Sequence, residues 1–426
     1  MTVSSAQASI RPYHEIDLSS KAFWAQSAAE RETSFALLRK QSPISWQPPV
    51  EDAWMPDPED LGYWAVVRHA DIVDVSRRNE VFISSQGVQF ENLPPDVLRG
   101  SQSILAMDPP DHTKIRKLIS AAFTPRQVKR IEEQINSNAR ELVDSIAQRG
   151  NAEFVTEVAT KLPMRTVCDM IGIDRDEQEK VAHAAEVIIG WNDPDVRGGR
   201  ERGPALAEVG WYLTKLARTL AAQRRAEPRD DLISALVNAE VDGERLNDVE
   251  ISSFFTLLCL AGTDTTRQTA THAVKALTDF PDQRAWLVED YDGRINSAIE
   301  EFVRWASPVM TFRRTAVEDT ELGGQRIRAG EKVVMFYASG NWDTEVFADP
   351  DRFDLSRSPN PHVGFGGGGI HFCLGNQVAK SQLRALFREL LTRIPDFQAG
   401  NPVMLEGNLI HGVKSLPIQF TSEQSR

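Results

Sequence analysis

The chain reads as mainly α-helical with a small β-rich part, built as one large domain. Three observations predict this. Apolar residues recur at helical spacing over long stretches, most clearly at Ile131, Ile135, Ala139, Leu142, Val143 and Ile146. Short β-favouring runs are confined to residues 64–67 and 311–337. No Pro/Ser-rich linker, low-complexity run or internal repeat interrupts the 426 residues, and 41% of them are hydrophobic, enough for a sizeable core.

The formal net charge of −13 argues against nucleic acid as a partner. Three cysteines, Cys168, Cys259 and Cys373, make no disulfide framework and suit a reducing cytosol. Residues 1–22 are polar and are expected to be a loose arm, neither signal peptide nor membrane anchor, ahead of a single domain over 23–426. The expectation is a soluble, cytoplasmic monomer.

Taken in order, residues 64–67 read as a strand and 70–77 as a helix. Residues 81–106, which include Val88, read as an irregular connection, long enough within a compact domain to be functional or mobile. Pro109 and Pro110 suit a helix entrance, which puts His112 and Arg116 four apart on one face. Such a pair suits either a shared anion or a solvated face. Helices are expected over 131–146, 157–171, 175–190 and 204–226, with 191–203 as a mobile lid loop carrying Arg197, Arg200 and Arg202.

Residues 246–276 form a long apolar helix with an oddity at its middle, Ala261-Gly262-Thr263-Asp264-Thr265-Thr266. Gly and Thr are poor interior helix formers. The Thr265 hydroxyl can bond the Ala261 carbonyl, which predicts local unwinding. Leu257, Ala261 and Thr265 share one stripe, where the small Ala261 leaves room for a ligand. Further on, Glu301 and Arg304 stand three apart and can pair on a helix. A turn at 307–310 leads into strands at 311–315, 320–322, 325–327 and 333–336, with Arg313 read as a surface charge.

The stretch 363–375 carries the chemistry. Cys373 follows a glycine run, and Leu374, Val378, Leu383, Leu386, Phe387 and Leu390 then recur at helical spacing. A thiol before a helix N-terminus feels the positive end of the dipole and nearby N–H groups, which favour its thiolate. Glycines let the backbone lie flat against something large. A haem iron with an axial cysteine needs both features. A phosphate cradle would want Lys-Ser/Thr after the glycines, and a zinc site a second nearby Cys; neither is present.

These residues resemble the cytochrome P-450 family, the haem-thiolate monooxygenases. Gly369, His371, Cys373 and Gly375 match its cysteine loop in register, and Phe365 and Gly366 match its start, one residue further from the cysteine than is common. The longer loop is similar to that of actinobacterial members acting on methyl-branched lipids and sterols. Three further segments match in the family's order: His112 with Arg116, the Asp264-Thr265 pair, and Glu301 with Arg304. Trp342 stands where an Arg is common.

The resemblance implies the following roles. Cys373 ligates the iron of haem b, with O2 as co-substrate. His112, Arg116 and Arg314 hold propionates, and Ala261, Phe365, Gly366, His371 and Gly375 contact the haem. Thr265 relays protons towards dioxygen and Asp264 resupplies them. Glu301 and Arg304 lock the fold. Val88, Leu257, Ala261, Val309, Met310, Leu409 and Ile410 form an aliphatic substrate pocket. The expected substrate is an apolar small molecule, a methyl-branched lipid, isoprenoid or sterol side chain hydroxylated near its terminus. A terpene or polyketide hydroxylase, or another haem-thiolate oxidase, is the alternative, and a non-catalytic haem or lipid carrier is the rival of another class. The chain shows no flavin or iron–sulfur motif, so a ferredoxin and its reductase would supply electrons, docking on Lys114, Lys117, Arg126, Lys129 and Arg130.

Overall fold

A computed structural model describes residues 11–425 except 54, 95–96, 99–102, 123–124 and 192. Helices dominate it, as the sequence predicts. Among the described residues the largest sheet is five-stranded, in the order Ile44–Gln47, Tyr63–Val66, Lys332–Phe336, Thr311–Ala316, Phe82–Ile83. Strand 332–336 runs parallel to 63–66, with Val333 opposite Trp64, and antiparallel to 311–316, with Val334 opposite Arg313. That register puts Arg313 and Arg314 on opposite faces of one strand.

The Asp248–Asp279 helix crosses the centre of the helical part. Its start is fixed by a capping box, in which the Asn247 side chain accepts from the N–H of Val249 and Glu250 while Glu250 accepts from the N–H of Asn247. Its expected interruption is absent. The Thr265 hydroxyl does donate to the Ala261 carbonyl at 2.8 Å, yet the helix continues through Gly262. Packing on both sides supplies what propensity lacks, since Phe254, Phe255, Ala270, Ala273 and Leu277 are all buried.

The Asn376–Arg393 helix buries Leu383, Leu386, Phe387 and Leu390 against the Pro125–Ala147 helix and its neighbours. Each side chain of that kind contributes about 1.5–3 kcal/mol when fully buried. Leu374 lies before this helix and is exposed, so it is not part of the apolar face the spacing suggested. The expected loose arm is corrected from Arg11 onward. Leu18 is fully buried, its N–H is bonded to the Gln47 side chain, and the Lys21–Trp24 helix packs Phe23 and Trp24 into a cluster with Phe336. Residues 1–10 lie outside the described part.

Glu301 and Arg304 are both fully buried on the Tyr291–Ala306 helix. Their two planar groups meet edge to edge, Nε to Oε2 at 2.8 Å and Nη2 to Oε1 at 2.7 Å. Arg304 also donates to the carbonyls of Asn341 and Pro350, both at 3.0 Å. Glu301 accepts from the Asp354 N–H at 3.0 Å, Arg357 Nε at 3.2 Å and Asn360 at 3.0 Å. The pair therefore holds the long irregular segment that leads to Cys373. Trp342, in the place of an Arg, packs against Trp305 at 5.3 Å with the rings tilted by 36°, and the Arg304 guanidinium lies over it at 5.9 Å.

A second buried contact ties the C-terminal strands to the long helix. The rings of His272 and His411 stack at 4.1 Å, His272 Nε2 donates to the His411 carbonyl at 2.9 Å, and His411 Nδ1 donates to Ala306 O at 2.8 Å. Burial pushes both imidazoles down, His411 furthest because His272 adds to it, and the Arg31 charge depresses both.

Two expectations follow. Glu301→Gln leaves a buried guanidinium short of its counter-charge and costs about 3–5 kcal/mol, read as a fall in denaturant midpoint with loss of bound cofactor. For the histidines, the unfolded chain takes up protons below about pH 6.5 while the folded chain resists them, so stability falls as pH drops. The acid-side slope of Tm against pH becomes shallower in His272→Gln than in the wild type.

Candidate active site

A cavity of about 490 Å³ opens between the Asp248–Asp279 helix and the cysteine loop, within the range of small-molecule sites. Leu257, Ala261 and Thr265 line it from the helix, as their shared stripe predicts. Facing them are Val309, Arg314, Phe365, Gly366, His371, Cys373 and Gly375, with His112 and Arg116 at one side.

Cys373 is half-buried and opens on this cavity. Burial pushes its thiol up, while the Gly375 N–H, the Arg116 charge and the Asn376 N–H draw it down. The helix terminus thus opposes burial without overcoming it in the polypeptide alone; a cation bound at the sulfur tips the balance to the thiolate. The loop closes on itself through the Cys373 N–H, which donates to Phe365 O at 3.0 Å. Its added length is accommodated by glycines in the left-handed region, Gly366 at φ 98° and Gly369 at φ 75°. A Cβ on Gly369 would lie 2.3 Å from the Ser76 carbonyl, so close packing on the His69–Arg77 helix is what demands glycine there.

Positive charge crowds one edge of the cavity. His112 and His371 lie 4.5 Å apart, ring edge to ring face. Burial drives His371 down to about 3, helped by Arg314, His112 and Arg116. Burial and Arg116 likewise depress His112, and burial depresses Arg314. Both ring nitrogens of His112 are buried with no hydrogen-bond partner among the described residues. Orphaned polar atoms of a neutral His112 beside the guanidinium groups of Arg116 and Arg314 fit an anionic group, as carboxylate tails of a haem would provide. Arg116 already bonds the carbonyls of Ile370 and Phe372, each at 2.8 Å, so it braces the loop.

Other expected residues fall elsewhere. Asp264 is buried but does not line the cavity. It is paired with Arg267 and accepts from Gln268 at 3.3 Å, with its Oδ2 lacking a partner among the described residues. Arg267 reaches half-exposed Glu186 at 3.5 Å, so a charged path leads from Asp264 to the surface. Val88, Met310, Leu409 and Ile410 are not among the lining residues. Met310 belongs to the buried cluster around Phe336, its N–H bonds Leu409 O at 2.8 Å, and Ile410 bridges Val309 through the backbone. Of the three arginines expected in a lid loop, Arg197 donates to Arg200 O, Arg200 pairs with Glu208 at 2.8 Å, and Arg202 opens the Arg202–Ala226 helix and pairs with Asp52 at 2.6 Å, so each is engaged within the protein.

The basic patch is similarly engaged, with Lys114 paired to Glu244 at 2.9 Å, Lys117 to Asp242 at 3.0 Å and Lys129 to Glu133 at 3.9 Å. The Arg126 side chain lies outside the described residues. Sequence reasoning missed Thr266 and Thr269, which also line the cavity. Their spacing from Ala261 and Thr265 along the same helix was the available signal. It also misread Arg313, which is buried and bonded rather than a surface charge.

A helical fold with a cysteine opening on an apolar cavity, arginines at its edge and a threonine-bearing helix opposite has the parts that a haem-dependent oxygenase requires. Comparison with known proteins agrees. The cytochrome P-450 family profile matches residues 207–394. The methyl-branched lipid omega-hydroxylase of Mycobacterium tuberculosis H37Rv is 41% identical over 416 residues, 96% of each chain. The steroid C26-monooxygenase of Mycolicibacterium smegmatis is 37% identical over 393 residues, 91% of this chain and 90% of that one. A Mycobacterium marinum cytochrome P-450 solved in complex with pseudoionone superposes with a TM-score of 0.93 at 61% identity, covering 97% of this chain and 100% of that one. The chain belongs to the cytochrome P-450 family and is a monooxygenase of that family, which works with a haem iron and O2. Among the described residues no helix is long and apolar enough to cross a membrane.

Proposed function

We propose that the enzyme hydroxylates a methyl-branched lipid, isoprenoid or sterol side chain at or near its terminal carbon. The observation that carries this is near-full-length similarity to two groups of hydroxylases, one named for the omega position of methyl-branched lipids and one for C26 of steroids. The lining agrees in kind. Leu257, Ala261 and Val309 recognise by shape, and a branching methyl is worth about 1–3 kcal/mol of discrimination.

The haem is b-type, because the chain lacks the Cys-x-x-Cys-His run that anchors haem covalently. When bound, it supplies O2 activation and oxygen transfer to carbon. Cys373 would hold its iron through the thiolate, and His112, His371 and Arg314, which line the same cavity, would meet its carboxylates. Arg116 keeps the loop in shape through Ile370 and Phe372. Ala261 leaves space over the cavity floor, and the Thr265 hydroxyl beside it holds water and passes protons. Asp264, paired with Arg267 and next to Thr265 in the chain, serves as the proton reservoir.

Electrons come from a ferredoxin and its reductase in the cytosol. Lys117 is well exposed and its pair with Asp242 is of the exposed kind, worth about 0–1 kcal/mol, so an acidic partner can displace it.

Thr265→Ala is expected to consume reductant at a rate near the wild type while most of it appears as hydrogen peroxide. Full coupling to product in that variant would remove Thr265 from the proton path. For the substrate, a methyl-branched fatty acid should displace the iron-bound water, seen in the Soret band, at least about tenfold more tightly than its linear counterpart. It should give the terminal alcohol by mass spectrometry. Equal binding of both chains, or oxidation away from the terminus, contradicts the proposal.

A further inference from the structure

The connection between residues 81 and 106 is fastened along its outgoing limb. At its base, the Asp108 carboxylate accepts from the N–H groups of Ser84 and Ser85 at 2.8 and 3.0 Å. Beyond that, Arg313 holds it at four points. The Arg313 N–H donates to Val88 O at 2.8 Å, and its guanidinium donates to Gln86 O at 2.8 Å, Glu91 O at 2.9 Å and Asn92 Oδ1 at 3.0 Å. Lys332 adds a bond to Phe90 O at 3.2 Å, and Asn92 is itself tied to Asp57 at 2.8 Å. Arg313, Lys332 and Glu91 are all buried. The returning limb carries Ile104 and Leu105, which line the cavity.

Bonds from a buried guanidinium to carbonyls are charge-assisted, and removing the donor strands those carbonyls away from water. Strand alternation sends Arg314 to the cavity and leaves Arg313, one residue away, to the connection. We propose that Arg313 is a positioning residue of the active site. It fixes the outgoing limb, whose Ser84 and Ser85 are tied through Asp108 to the segment that follows Ile104 and Leu105, and it thereby sets how long a ligand stays in the cavity. This rests on the cavity being the active site and is independent of the substrate.

The test uses the haem-loaded enzyme, its Arg313→Lys and Asn92→Ala variants, and phenylimidazole as an iron-directed ligand. Hydrogen exchange over residues 82–92 reads the clamp, and stopped-flow dissociation of phenylimidazole reads retention. Arg313→Lys, whose single ammonium cannot span Gln86, Glu91 and Asn92 together, should speed exchange across 86–92 and raise the off-rate about tenfold, with haem content unchanged. Asn92→Ala should move both readouts the same way by less, and it carries the test alone should Arg313→Lys lose haem. Unchanged exchange overturns the proposal. So does faster exchange, or a lower Tm, with an unchanged off-rate, because that is what a merely structural arginine would give. A wild type that fails to bind phenylimidazole would instead fault the assignment of the cavity, and the exchange data would still report the clamp.

Discussion

A carboxylate and a guanidinium sealed from water hold this molecule's chemistry in place. Arg304 bonds Asn341 O, and the Asn341 side chain accepts from the Val363 N–H at 2.7 Å where the cysteine loop begins. Glu301 binds the same segment at Asp354, Arg357 and Asn360. This segment has little regular structure of its own, so side chains must supply the bonds that a helix or strand would make within itself. Both carboxylate oxygens and all three guanidinium nitrogens of the pair are used, the condition under which a buried ion pair is tolerated. Position of the thiol is thus set from behind, by groups that never reach the cavity.

The cavity repeats this division of labour. Arg116 braces the cysteine loop while both nitrogens of His112 lack a partner among the described residues, although the two share one helix face. Arg314 faces the cavity while Arg313 fastens the connection beside it. Burial chiefly, and repulsion from Arg314, His112 and Arg116 after it, hold His371 uncharged when the site holds only protein. An anionic ligand relieves that repulsion, so cofactor binding and local stability are linked.

The helices and the cysteine loop were legible because periodicity and a motif report local constraints. Cys373, Ala261 and Thr265 could be placed in one site from the sequence for that reason. What failed depended on distant contacts. The Gly262 region stays helical because of tertiary packing on both flanks, which propensity does not include. Met310 and Val88 look like pocket residues by type but turn to the core or bond through their backbone. Arg313 was unreadable because an arginine's burial depends on whether backbone carbonyls far along the chain converge on it. The order of motifs identified the family, but only geometry separated Asp264 from the cavity wall.

We propose that Cys373 presents a thiolate to a haem iron in this cavity. The most direct measurement is the Soret spectrum of the reduced protein with carbon monoxide, taken for the wild type and for Cys373→His. Ligation by Cys373 predicts the long-wavelength band of a thiolate-bound haem in the wild type, and its loss, with haem still bound, in the variant. The same long-wavelength band in both proteins would contradict it.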